Sequence, residues 1–254
     1  MFLSVRQQQI LDIAKADGRV IVDDLASKFG VTPQTIRKDL NDLCDHRQLV
    51  RIHGGAALPS GSENLQYEKR RLIASREKIA IGREAAHLIP NNASLFINIG
   101  TTTEAVGEAL TDHTELMVIT NNINVANRLR LYPSIEVVIA GGVVRGSDGG
   151  IVGEAAVDFI RQFKVDYAVI GASAIDEDGA LLDFDFREVK VAQAIIANAR
   201  HVILVCDSTK FERTAPVRIG HISQVDSFIT DRCPDPRIRG ICEESDVRLV
   251  EVAI

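Results

Sequence analysis

The sequence predicts an α/β protein in two unequal parts, a small helical head with a β-hairpin and a larger body built on a doubly wound parallel sheet. Three observations predict it. After residue 76, short apolar runs alternate with helix-like ones, the pattern of βα units feeding one sheet with helices on both faces. Polar or glycine punctuation follows five successive apolar runs, as expected at the carboxyl ends of parallel strands. Charge divides along the same line, since residues 1–78 hold 13 Lys/Arg against 10 Asp/Glu and residues 79–254 hold 16 against 25. A net charge of −6 distributed this way fits a nucleic-acid-contacting head carried by an acidic body.

Composition removes other classes. With 46% hydrophobic and 25% charged residues the chain reads as an ordinary globular protein. No apolar run approaches the ~20 residues of a membrane span. Arg6-Gln7-Gln8-Gln9 interrupts any signal-peptide pattern, so the expected location is the cytoplasm. Cys44, Cys206, Cys233 and Cys242 show no CxxC spacing and read as reduced thiols. The six histidines are scattered, so neither a metal site nor a cofactor is expected, and no Ser/His/Asp set suggests a catalytic residue.

In the head, residues 5–16 place Ile10, Ile13 and Ala14 together as a first helix, ended by Asp17-Gly18. Arg19-Val20-Ile21 is β-prone. Asp23 or Asp24 is placed to cap a second helix through Phe29, which Gly30 closes. Thr32 is a good N-cap and Pro33 takes the favoured first position of a third helix reaching about His46. Ile36, Leu40 and Leu43 then face inward. Gln34, Arg37, Lys38 and Asn41 face outward, with Thr35 at the edge. Residues 49–53 and 56–58 flank Gly54-Gly55 as a basic hairpin. Two helices joined by a tight turn and followed by such a wing form a winged helix-turn-helix, whose third helix enters the major groove. Gln34 and Arg37 suit bidentate contacts with base edges, and Lys38 suits a phosphate or a base. The candidate operator-contacting set is Thr32, Gln34, Thr35, Arg37, Lys38, Asn41, Arg51 and His53. A plain helical hairpin with a solvated charged face is the alternative. The coincidence of cap, proline, turn glycine, polar face and wing favours double-stranded DNA.

The expected domains are a head at 1–58, a linker at 59–75 and a body at 76–254. Residues 59–64 are small and polar, and the charged stretch after them reads as a solvated connector. The body opens with a helix over 76–89. Strands are expected at 95–99, 116–120, 136–140, 167–171, 201–207, 227–230 and 247–252, with helices at 104–110, 122–131, 151–163 and 186–198. Gly100-Thr101-Thr102-Thr103 joins the first of these strands to a helix. A glycine turn, hydroxyls and a helix N-terminus make a cradle for a phosphorylated small molecule; a capped turn without a ligand is the alternative. Asn121, Gly141, Gly142, Asp176 and Lys210 follow later strands. The candidate effector set is therefore Gly100, Thr101, Thr102, Thr103, Asn121, Gly141, Gly142, Asp176 and Lys210.

The run from Thr32 to Leu40, followed by Arg51-Ile52-His53-Gly54-Gly55-Ala56, resembles the N-terminal signature of the DeoR-type bacterial transcriptional repressors. The resemblance extends over nearly the whole chain. It implies a homo-oligomer, dimer or tetramer, whose operator affinity a phosphorylated metabolite lowers. Residues 171–176, Glu188 and 207–210 resemble ribose-5-phosphate isomerases, whose fold the body of the family shares. That likeness implies Glu188 as a base and Asp176 as a ligand for hydroxyls. Yet Ser173 and Ala174 stand where the isomerases have acids, and no lysine precedes the glutamate. The expectation is a sensor and no enzyme, with Glu188 a surface carboxylate paired to Lys190 or Arg187. Residues 95–102, 120–127, 148–155 and 158–163 are similar to the branch of the family that responds to sn-glycerol 3-phosphate, which implies that effector. Thr103 departs from that branch, where a proline stands. A regulator of another sugar-phosphate pathway is the alternative.

Overall fold

The computed structural model describes residues 4–17, 19–46, 48–52, 54–57 and 67–254. The chain divides into two compact units, Met1–Gly61 and Ser62–Ile254. Gly18, His53 and the small polar stretch 59–64 lie outside the described residues.

The first unit runs α1 (Val5–Asp17), β1 (Arg19–Ile21), α2 (Val22–Phe29), α3 (Pro33–Asp45), β2 (Val50–Ile52) and β3 (Gly55–Ala57). Ile10, Leu11 and Ala14 of α1, Leu25 and Ala26 of α2, and Ile36, Leu40 and Leu43 of α3 share one buried core. Gly30, at φ 63°, supplies the left-handed residue that ends α2. Thr32 Oγ1 then accepts the Thr35 N–H at 3.3 Å and opens α3. Replacing Thr32 with alanine should cost this unit ~1 kcal/mol, read from urea unfolding of the intact chain; an unchanged midpoint for the head transition overturns that role. Neither Asp23 nor Asp24 caps α2. The helix starts one residue earlier, at Val22, leaving both aspartates inside its first turn, where they face the helix dipole. The wing is three-stranded, because β1 joins the hairpin and pairs antiparallel with β3.

The second unit opens with α4 (Tyr67–Leu72) and α5 (Ser75–His87). There follow β4 (Ser94–Ile97), α6 (Thr101–Ala109), β5 (Leu116–Thr120), α7 (Ile123–Leu129), β6 (Ile135–Ile139), β7 (Val143–Val144), β8 (Ile151–Val152) and α8 (Glu154–Ile160). Next come β9 (Val165–Ile170), β10 (Ala174–Ile175), β11 (Ala180–Asp183), α9 (Phe186–Ala197), β12 (Ala199–Val205), β13 (Val217–His221), β14 (Ser227–Thr230), α10 (Pro236–Glu244) and β15 (Arg248–Glu251). The seven predicted strands form one sheet in the order β15-β14-β12-β9-β4-β5-β6, every neighbouring pair parallel. Alternation along each strand divides the apolar side chains between two faces. Leu95 and Ile97 of β4 pack with α5, α6 and α7 residues such as Ile81, Val106 and Leu129. Phe96, between them, packs on the other face with Ile160 of α8, Ile195 of α9 and Ile238 of α10. Both faces are covered, which explains why the strands read as continuous apolar runs.

Three departures from the sequence expectations matter. The helix expected over 151–163 is broken at Gly153, so Ile151 and Val152 form strand β8 before α8 begins. Residues 67–72 are a helix where a solvated connector was expected. The antiparallel sheet β10-β11-β13 beside the main one was not anticipated.

Candidate functional site

On α3, Gln34, Arg37, Lys38 and Asn41 are all exposed, and Thr35 is half-buried. Their placement follows from the opposite face, where Ile36, Leu40 and Leu43 are 0% exposed. Asp39 lies on the buried side and is held by Arg6 at 2.6 Å, so it does not offset the cationic face. Thr32 is exposed, but its hydroxyl is committed to the cap. Arg51, on β2, is exposed and donates to the Gly55 carbonyl at 3.3 Å.

A second site lies at the carboxyl ends of β4, β9 and β12, three adjacent strands. Gly100 turns the chain at φ 147°, a conformation that disfavours any side chain, and its carbonyl receives the Glu104 N–H at 3.0 Å. The N–H groups of Thr101, Thr102 and Thr103 therefore belong to the first turn of α6, where no helical carbonyl is available to them. Thr103 Oγ1 donates to the carbonyls of Asn98 at 2.7 Å and Gly100 at 2.8 Å. Its hydroxyl locks the turn, leaving only its backbone for a ligand. The Thr101 and Thr102 hydroxyls make no hydrogen bond among the described residues.

Lys210 faces this loop across the cavity. It is 8% exposed, and its ammonium makes no hydrogen bond or ion pair among the described residues. Burial holds its pKa below the usual lysine value, against the pull of Asp207. Arg70 lines the same cavity, and its Nε is buried without a partner among the described residues. Two cations with unused donors, two free hydroxyls and a helix N-terminus thus converge on one space. That arrangement has the donors and charge to suit a compact anion.

The opposite wall is acidic. Ser173 Oγ donates to Asp183 Oδ2 at 2.7 Å. Glu188 also lines the cavity, at 7% exposed, and pairs with Arg145 at 2.6 Å. Burial and nearby Asp183 push the Glu188 carboxyl up to about 8 against the attraction of Arg145. The expectation of a surface carboxylate is corrected here. Lys190 pairs instead with Glu154 at 2.6 Å, and Arg187 with Asp185 at 2.8 Å. Glu188 sits in the first turn of α9, on the side that turns inward to the sheet.

Of the candidate effector residues, Gly100, Thr101, Thr102, Thr103 and Lys210 are brought together. Asp176 is not: it is exposed in the β10–β11 turn, where its carboxylate accepts the Glu177 N–H at 2.9 Å. The hairpin carries the chain back, and Asp183 at its far end takes the place expected of Asp176. Asn121 is buried and donates to the Ile151 carbonyl at 3.1 Å, tying β8 to the end of β5. Gly141 and Gly142 are exposed beyond β6. Because β6 is the edge strand, its end lies apart from the β4, β9 and β12 ends that form the cavity. Arg70, Arg145 and Asp183 were missed altogether. Arg70 meets Asp148 and Arg145 meets Glu188 only through contacts remote in sequence, and no local spacing ties any of the three to the cavity.

Two family models match the chain, the DeoR-like helix-turn-helix domain over residues 6–61 and the DeoR C terminal sensor domain over residues 73–232. The chain is 46% identical over 244 residues to the glycerol-3-phosphate regulon repressor of Escherichia coli (strain K12), covering 96% of this chain and 97% of that one. It is also 46% identical over 241 residues to the repressor of the same name from Haemophilus influenzae, covering 95% and 94%. The transcriptional repressor GlcR of Bacillus subtilis (strain 168) is 29% identical over 251 residues, covering 98% and 96%. Solved structures are more distant. Ribose 5 phosphate isomerase A from Neisseria gonorrhoeae aligns with a TM-score of 0.39 and 14% identity, over 53% of this chain and 52% of that one. For eIF2B beta from Chaetomium thermophilum the TM-score is 0.47 and the identity 17%, over 67% and 54%.

Proposed function

The chain belongs to the DeoR family of helix-turn-helix regulators, and from that premise we propose that it is a transcriptional repressor released from its operator by sn-glycerol 3-phosphate. Its 46%-identical relatives are named repressors of the glycerol-3-phosphate regulon, not enzymes. The observation that carries the effector reading is the pair of cations, buried Lys210 and half-buried Arg70, with donors left unused beside the Thr101–Thr102 loop. A phosphate dianion supplies the missing acceptors. The acidic wall of Asp183 and Glu188 accepts hydroxyls from the rest of the ligand. Glu188, paired with Arg145, is not the free base an isomerase needs.

On this reading α3 enters the major groove through Gln34, Arg37, Lys38 and Asn41, and the wing carries Arg51 and His53 toward the backbone. The protein acts in the cytoplasm as a homo-oligomer that presents its heads to repeated half-sites. Among the described residues no helix is long and apolar enough to cross a membrane.

The test is an anisotropy titration of the full-length protein on an operator duplex recovered from a random library. Saturating glycerol 3-phosphate should weaken operator binding about 5- to 150-fold, the range of a coupling of ~1–3 kcal/mol. Ribose 5-phosphate and glucose 6-phosphate at equal concentration should change it less. Operator affinity indifferent to glycerol 3-phosphate removes the effector assignment, and a stronger response to either sugar phosphate reassigns the pathway.

A further inference from the structure

Arg70 belongs to α4, the first described element after the helix-turn-helix unit, yet it lines the cavity formed by the strand ends. Its guanidinium is only half engaged. One terminal nitrogen donates to Asp148 Oδ2 at 2.9 Å, while Nε is buried and has no partner among the described residues. Asp148 does not depend on this bond. Arg145 holds the same carboxylate through Nε at 2.8 Å and a terminal nitrogen at 2.7 Å, and the Gly150 N–H adds a third bond at 3.3 Å.

The rest of α4 is anchored to elements that carry the cavity's lining residues. Tyr67 donates to Glu104 of α6 at 2.6 Å, one turn beyond the threonine loop. At the other end Lys78 Nζ, 4% exposed, donates to the carbonyls of Arg70 and Ile73, each at 2.6 Å. That ammonium lies 3.8 Å from Asp207, whose Oδ2 has no hydrogen-bond partner among the described residues. Asp207 opens the turn that carries Lys210. Helix α4 is therefore fastened at its start to α6, the helix that carries the threonine loop, and at its end, through Lys78, beside the turn that carries Lys210.

We infer that Arg70 is the effector-sensing residue, and that a phosphate in the cavity takes its guanidinium from Asp148 and repositions α4. The inference rests on the phosphate-effector reading above. Guanidinium pairs with phosphate in a bidentate fork, using two parallel N–H groups. Here one such group is idle and the carboxylate that would be given up is satisfied without it, so the exchange leaves no new unpaired charge. The exchange also gives the ligand different partners in two positions of α4. That difference is the condition for a ligand to shift an equilibrium, and tight binding alone does not meet it. Thr102 and Lys210, held at the ends of the sheet strands β4 and β12, set affinity. Arg70 sets what the affinity does.

Operator titrations at rising glycerol 3-phosphate, with calorimetry on the same full-length protein, separate the two roles. In the wild type the operator Kd should climb to a plateau. Thr102→Ala should need about tenfold more effector, the weakening expected from removing one good hydrogen-bond donor, and still reach that plateau. Arg70→Ala should keep saturable but weaker calorimetric binding, while its operator Kd stays within about twofold of the effector-free value at any concentration. Arg70→Lys keeps the charge without the fork and should behave the same way, which covers failure of the alanine variant to fold. An Arg70 variant that reaches the wild-type plateau at saturation overturns the inference and leaves the repressor reading intact. A wild type that binds no glycerol 3-phosphate, or whose operator affinity ignores it, removes the effector reading itself.

Discussion

Replacing Lys210 with methionine should abolish the response to glycerol 3-phosphate, with effector affinity falling at least about 100-fold, the ~3 kcal/mol expected when one partner of a buried ionic contact is removed. The size follows from the surroundings. The ammonium is 8% exposed and makes no ion pair among the described residues, so a bound phosphate is the first close acceptor it meets. Methionine matches the four-atom stem of the lysine side chain and removes a charge that burial already disfavours, so the melting temperature should hold or rise while binding disappears. Asp207 keeps its cation at Lys78, 3.8 Å away. The pH dependence has a definite sign. Lys210 loses its proton at lower pH than an ordinary lysine, so wild-type affinity should fall as pH rises through that range, and the methionine variant should show no such component. Calorimetry across pH measures both effects. Wild-type affinity in the variant removes Lys210 from the site.

The second large effect is on DNA. Arg37→Ala should weaken operator binding by about 10- to 100-fold, the ~1–3 kcal/mol of one bidentate base contact, and should relax selectivity at a single base pair. Arg37 is exposed on α3 and takes no part in the core made by Ile36, Leu40 and Leu43, so the fold should be unaffected. Lys38→Ala is the contrasting case. Removing a cation that meets a phosphate weakens binding to all sequences alike and reduces the salt slope by about one. Anisotropy on the operator and on point-substituted duplexes at several salt concentrations resolves the pair. If Arg37→Ala lowers affinity for every duplex equally, the arginine reads the backbone and not a base.

The sequence disclosed whatever depends on near neighbours. Thr32, Pro33 and the Ile36–Leu40–Leu43 stripe specify α3 within a dozen residues, and the structure follows them closely. The central strands were legible because they are short apolar runs ending in glycine, threonine or an Asx residue, and a strand buried on both faces has no other simple composition. What stayed hidden depends on distant partners. Helix α4 has no apolar stripe of its own, since it is held by Tyr67, Arg70 and the carbonyl bonds of Lys78. The carboxylate of the cavity could not be assigned to Asp183 over Asp176, because both follow β9 and only the β10–β11 hairpin decides which returns. Glu188 reads as a surface residue beside Arg187 and Lys190 until Arg145, 43 residues earlier, is seen to bind it. Helix α10 carries an arginine or glutamate at four of its nine positions and opens with proline, which masked the two buried residues, Ile238 and Cys242, that attach it.

The order of strands also sets an order of events. β4 is the first strand of the sheet to leave the ribosome, and it ends between β5 and β9. β5 can join it across one helix. The other flank must wait until Tyr167 arrives to pair with Leu95, and the edge strand β15 comes last of all. Pairings so remote make for slow folding, whereas the head closes mostly through helices that are neighbours in sequence. A newly made copy therefore completes the surface that reads DNA before it completes the pocket that would release it.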